Sequence, residues 1–171
     1  MTEALLIQIA FFVAAAAAVI STAFVITGTN PVHALLNLIV SLLAVAMIFF
    51  MIGAPFAGAL EVIVYAGAIM VLFVFVVMML NLGEAVVEQE RRWLKWSVWV
   101  WPFALSLMLF AALTSVLNLQ QTRPAGTTVI DAKQVGIALY GPYLLAVELA
   151  SMLLLAALVA AYHLGRQDEK D

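Results

Sequence analysis

Two carboxylates of this chain stand where carboxylates are costly. Glu61 is the one charged residue in the apolar run AGALEVIVYAGAIMVLFVFVVMML, Ala57–Leu80. Glu148 lies inside a second such run, Tyr143–Leu164. The other eight acids are Glu3, Glu84, Glu88, Glu90, Asp131, Asp168, Glu169 and Asp171, all in connections or near the ends. None of the seven Lys and Arg falls inside an apolar run. No basic residue of a membrane span in this chain can therefore neutralise either acid. Each must be protonated, face a water-filled cavity, or meet a partner on another chain.

The chemistry open to such a group is proton transfer. A carboxyl shielded from water favours its neutral form, so its protonation can respond to a nearby charge or a change of conformation. The other reading is a neutral acid hydrogen-bonded to a neighbouring helix as structural glue. Both stay open for Glu61 and for Glu148, and Ser151, one turn on, could satisfy Glu148 locally. Tyr65 is four residues after Glu61, on the same helical face, and could bond the acid or a chain of waters. It could equally be packing with a satisfied hydroxyl. Next comes Ala66, Gly67 and Ala68. A glycine in mid-helix weakens the helix and lets another backbone approach. That serves tight packing, or a hinge or helical bulge of the kind found at functional sites. Asn37 and Ser41, one turn apart, suit interhelical hydrogen bonds. His33 reads as interfacial, Asn81 as a helix end, and Met70, Met78 and Met79 as packing.

These residues need elements that hold them in a membrane. Of the 171 residues, 67% are hydrophobic and 10% charged. Mean hydropathy is +1.16. A soluble domain is about half apolar and a quarter charged, so the chain reads as an all-α polytopic integral membrane protein. A helix needs about 20 apolar residues to cross a bilayer core. Five runs qualify: residues 4–26, 34–52, 57–80, 98–117 and 143–164, in a single membrane domain with a polar tail, 165–171. Open sheets would leave backbone groups unpaired in lipid. The runs also lack the alternation of barrel strands.

The breaks agree. TGTNPVH, Thr27–His33, is turn chemistry with a helix start after Asn30-Pro31. IGAPFAG, Ile52–Gly58, joins spans two and three tightly. Asn81–Lys95 is charged and could hold a short amphipathic helix. Asn118–Gly141 is the longest connection, with QQTRPAGTT irregular. The first run has no Lys or Arg before it and exceeds a signal core, so it reads as a permanent helix. With five spans, Arg123 and Lys133 share one side. Arg91, Arg92, Lys95, Arg166 and Lys170 share the other. This bias puts the N-terminus outside and the C-terminus in the cytoplasm. Trp93, Trp96, Trp99 and Trp101 in RRWLKWSVWVWP form an aromatic and basic anchor at the inner interface. Glu61 and Glu148 then lie at similar depth, roughly 6–8 Å past their helix starts.

Several functions are excluded or unsupported. Without cysteine there is no disulfide, thiolate site or cysteine nucleophile. Two histidines far apart do not suggest a metal site. No phosphate loop, dinucleotide fingerprint or nucleophile elbow is present, and no basic surface of nucleic-acid type. Five helices with two buried acids make a poor pump alone. The composition therefore suggests a subunit of something larger.

At this point the residues are familiar. The segment GALEVIVYAGAIMVLFVFVVMMLNL, Gly58–Leu82, resembles the third span of the J subunits of bacterial respiratory complex I, the NADH:quinone oxidoreductase. These are counterparts of the mitochondrial chain-6 subunits. Thr29–Ala44, Val87–Lys95 and Val135–His163 match as well, so the resemblance covers nearly the full chain. It implies a five-helix subunit of the membrane arm in the bacterial inner membrane. Its neighbours would be lipid and other subunits, especially A, K and H, in a hetero-oligomer without nucleic acid. It implies no cofactor on this chain, while the whole complex would use NADH, FMN, iron–sulfur clusters and quinone.

The family's third span switches between a regular helix and one carrying a bulge, around the tyrosine that matches Tyr65. That switching is linked to a hydrated path between the quinone cavity and the antiporter-like subunits. The resemblance thus implies a relay role for Glu61 and a gate at Tyr65, Ala66, Gly67 and Ala68. It gives Glu148 no firm role. The expectation is a subunit that couples quinone reduction to proton translocation without redox chemistry of its own. The rival readings are a purely structural or assembly subunit and a small independent transporter.

Overall fold

The computed structural model describes residues 2–80, 88, 96–119 and 128–165. Every regular element among them is helical. α1 covers Thr2–Thr27 and α2 covers Pro31–Met51. The joint between them follows from three residues. Asn30 Oδ1 accepts hydrogen bonds from the N–H groups of Val32 and His33, at 3.0 and 3.3 Å. Pro31 takes the first helical position, where no N–H is needed. Gly28 N–H closes α1 on the Phe24 carbonyl at 3.0 Å.

The third apolar run is one continuous helix of 25 residues, Pro55–Met79, made of three parts. α3 is Pro55–Leu60, a π-helical segment is Glu61–Ile69, and α4 is Met70–Met79. α5 follows as Trp96–Leu119 and carries Pro102 inside it. α6 is Ala132–Tyr140 and α7 is Leu144–Gly165.

The chain divides into two units, Met1–Val129 and Ile130–Asp171. In the first, α1 packs on α2, and α2 packs on all three parts of the third run. The buried residues at these contacts are small: Ala14, Ser21, Ser41, Ala46, Gly58 and Ala66, with Met70 the exception. Small residues let helix backbones approach where lipid removes the hydrophobic drive for association. Large apolar side chains such as Leu6, Phe12 and Phe75 are exposed in the single chain, as suits lipid or protein neighbours.

Ser41 joins α2 to α1. Its Oγ lies 2.8 Å from Thr22 Oγ1 and 3.1 Å from the Ala18 carbonyl, which Thr22 also reaches at 2.8 Å. Whichever hydroxyl donates to the other, the second donates to Ala18. Asn37 differs from expectation. Its Nδ2 donates to the His33 carbonyl of its own helix at 2.9 Å, since a short polar side chain near a helix start readily turns back on the backbone.

Gly53 closes the tight connection with φ +84°, in the left-handed region that glycine adopts freely. A Cβ there would sit 2.6 Å from the Thr128 carbonyl oxygen. The chain just before the second unit therefore runs against the connection between α2 and α3.

The expected runs appear as helices with shifted ends. The largest shift is at α2, which starts at Pro31 and not Ala34. Among the described residues, four helices are long and apolar enough to cross a membrane: Leu5–Thr27, Pro31–Met51, Pro55–Met79 and Leu144–Gly165. α5 offers a shorter apolar stretch, Trp99–Ser115, among the described residues.

The long connection Asn118–Gly141 contains α6, while the stretch expected to be irregular, 120–128, lies outside the described residues apart from Thr128. Asp131 caps α6 by accepting from Gln134 N–H at 2.9 Å. Several expectations lie outside the described residues. These are the amphipathic helix within 81–95, Asn81 as a helix end, the basic residues of both sides apart from Lys133, the side chains of Trp93 and Trp96, and the tail 166–171.

Candidate functional site

The candidate residues of the third run share one unusual stretch of backbone. The π-helical segment begins at Glu61 and ends at Ile69. It therefore contains Glu61, Tyr65, Ala66, Gly67 and Ala68 together. Hydrogen bonding changes register across it. Glu61 N–H still donates to the carbonyls of Ala57 and Gly58, four and three residues back. Met70 N–H donates to the carbonyl of Tyr65, five residues back. π-helix is rare, occurs mostly as single-turn bulges, and is frequent at functional sites.

The local sequence holds an α-helix weakly here. Val62, Ile63 and Val64 are consecutive β-branched residues, which lose side-chain freedom against the preceding turn. Gly67 adds no side chain to hold either register. A Cβ on Gly67 would lie 2.9 Å from the Val62 carbonyl oxygen, five residues back. The wide turn brings that oxygen close, and only glycine leaves it room.

Packing on α2 fixes one side of the segment. Gly58 is buried just before it, and a Cβ there would sit 3.0 Å from both the Ala46 carbonyl oxygen and the Phe50 ring. Ala66 and Met70 are buried further along. Tyr65 turns outward and is 52% exposed in the single chain. Glu61 is half-buried. Among the described residues, neither its carboxylate nor the Tyr65 hydroxyl has a hydrogen-bond partner.

Glu61 lies six residues past Pro55, or about 9 Å along the helix. Glu148 lies four residues past Leu144, about 6 Å. Glu148 belongs to the second unit and is exposed in the single chain. Ser151 does not serve its carboxylate. The Ser151 hydroxyl donates to the Glu148 backbone carbonyl at 2.7 Å. Among the described residues no three His, Asp or Glu side chains converge as a metal site.

Sequence reasoning singled out Glu61, Tyr65 and Gly67 but passed over Gly58 and Thr22. Gly58 had a signal: a mid-helix glycine three residues before a buried acid. Thr22 had none, because its bond to Ser41 depends on how α1 meets α2.

Comparison with known proteins adds the family. Residues 21–164 match the family described as NADH-ubiquinone/plastoquinone oxidoreductase chain 6. The chain is 69% identical over 164 residues to NADH-quinone oxidoreductase subunit J of Pseudomonas aeruginosa, covering 95% of this chain and 99% of the relative. It is 60% identical over 162 residues to the subunit J of Escherichia coli strain K12, covering 94% and 88%. It is 51% identical over 160 residues to that of Buchnera aphidicola from Schizaphis graminum, covering 94% and 98%.

Proposed function

The chain belongs to the NADH-ubiquinone/plastoquinone oxidoreductase chain 6 family, and from that premise we propose how it works in the complex. It is a multi-pass membrane subunit of NADH-quinone oxidoreductase, a hetero-oligomer. In our reading it couples quinone reduction to proton translocation and carries no redox centre. Glu61 relays protons inside the membrane. Tyr65, Ala66, Gly67 and Ala68 gate that relay by moving between π and α registers. Glu148 is a second relay candidate and joins the path only where a neighbouring subunit bridges to it.

The observation that carries this reading is the coincidence of a nine-residue π-helical segment with a carboxyl that has no hydrogen-bond partner among the described residues. Conversion of one π turn to α removes one residue from the turn. Everything beyond it then rotates by about 100°. Side chains of α4 would exchange faces while α3, held at Gly58, stays in place. Such a rotation can open or close a water path beside Glu61.

The rest of the arrangement follows the same reading. NADH, FMN, iron–sulfur clusters and quinone belong to other subunits. Subunits A, K and H are the proposed neighbours, in the bacterial inner membrane with the N-terminus outside. α5 is counted as the fourth of five spans, and α7 as the fifth.

The test is Glu61→Gln in the intact complex. The amide keeps the shape and cannot release a proton. Proton pumping should fall, by roughly tenfold or more if Glu61 acts in general acid–base fashion, while the complex still assembles. Normal pumping and normal quinone reductase activity would leave a structural subunit.

A further inference from the structure

The π register decides which residues of the third run face α2, the helix it packs on. Ala66 and Met70 are buried, 6% and 4% exposed, while Tyr65 and Ile69 turn away, 52% and 40% exposed. Conversion of one π turn to α, with α3 held at Gly58, turns everything beyond it by about 100°. Each residue then takes the place of the one after it. Ile69 moves to the place of Met70, and Tyr65 to the place of Ala66. Isoleucine and methionine are close in size, and a volume-conserving exchange is tolerated in a packed site. A tyrosine in the place of a buried alanine is not such an exchange. Farther along, Val74 and Val77 are half-buried, so exchange there meets open space.

We propose that the ring of Tyr65 is a steric stop that holds the third run in the π register while α2 is docked on it. The inference rests on the gate proposed above and names what regulates it. An α register drives the ring against α2 at the place of Ala66, so it requires α2 to draw back beyond Gly58. π-helix is rare, and a bulky side chain barred from the α position gives this segment a reason to keep it. The movement of α2 thus controls the gate. Tyr65 is a positioning residue in this account, and its hydroxyl plays no part in holding the register.

The test uses the intact complex, with the register read from the backbone in cryo-electron microscopy maps. Tyr65→Ala offers the place of Ala66 a side chain of the same size. The ratio of α to π should then rise by roughly tenfold or more with α2 still docked, the relief of one overpacked contact. Tyr65→Phe keeps the ring and should keep the wild-type ratio. Tyr65→Leu, intermediate in size, should fall between them and supplies the reading if Tyr65→Ala does not assemble. A ratio that neither Tyr65→Ala nor Tyr65→Leu moves overturns the stop. So does a Tyr65→Phe complex that shifts as far as Tyr65→Ala, since the hydroxyl would then be the holder. An α register in the wild-type complex with α2 still packed at this level overturns it as well. Two registers whose ratio ignores position 65 overturn the stop alone, whereas a single register in every variant overturns the gate with it. The Glu61 relay is scored on pumping, so it stands or falls separately.

Discussion

A single missing side chain leaves room for the π register in the third run. At Gly67 a Cβ would meet the Val62 carbonyl at 2.9 Å, which real Cβ atoms rarely tolerate. Gly67→Ala should therefore disfavour the π register by about 1 kcal/mol, enough to shift a balanced equilibrium about fivefold. Gly67→Val should do more. The expected result is slower NADH:quinone reductase turnover per assembled complex, with recovery of the complex less affected. Loss of the complex in proportion to activity would make Gly67 a packing residue. Sequence alone exposed Glu61 and Gly67, because a charge and a glycine are conspicuous in an apolar run. It did not expose Thr22, whose partner Ser41 is nineteen residues away in the chain. A hydroxyl in a helix looks the same whether it bonds its own turn, as Thr27 does to Ala23, or bridges to another helix.

Between elements, the close approach of α3 to α2 decides what can rotate. A Cβ on Gly58 would stand 3.0 Å from the Ala46 carbonyl oxygen and from the Phe50 ring. That contact fixes the start of the π segment, so a change of register turns the part beyond it and must move Ala66 and Met70 from their buried places. Gly58→Leu places a branched side chain between the two backbones. It should destabilise the packed subunit by about 1–3 kcal/mol, read as a lower Tm or poorer recovery of the complex. Its effect should exceed that of Gly67→Ala on assembly and fall below it on turnover of whatever assembles. Equal effects on both readouts would remove the distinction between clamp and gate. The weak point in the third run was legible from Gly67 and its alanine neighbours. The choice of i→i+5 bonding was not, because α and π registers differ by little locally and packing against α2 selects between them. The helix α6 was missed for another reason. Its cap, Asp131 with Gln134, is a helix-start signal that a long polar connection obscured.

Across the whole molecule, one backbone contact bears on the span count. Gly53 lies in the connection before α3, and the Thr128 carbonyl approaches it within the same unit. Residues 53 and 128 therefore share one side of the membrane. The third run, 25 residues long, carries the chain away from that side over about 37 Å. Something must bring it back before Thr128, and α5, 24 residues or about 36 Å, is the element of sufficient length. On the proposed five-span reading, α7 makes the fifth crossing. The sequence has no cysteine, so single cysteines report location without background. Thr128→Cys should react with a membrane-impermeant maleimide added outside intact cells. Thr29→Cys and Gly165→Cys should react only after the membrane is opened, since five crossings with an outer N-terminus place both in the cytoplasm. Thr29 and Thr128 labelling from the same side would mean that α5 does not cross, and four spans would remain. Gly165 labelling with Thr128 would mean that α7 does not. Inverse labelling throughout would keep five spans and reverse the orientation drawn from the charges, of which Arg91, Arg92 and Lys95 carry most of the weight.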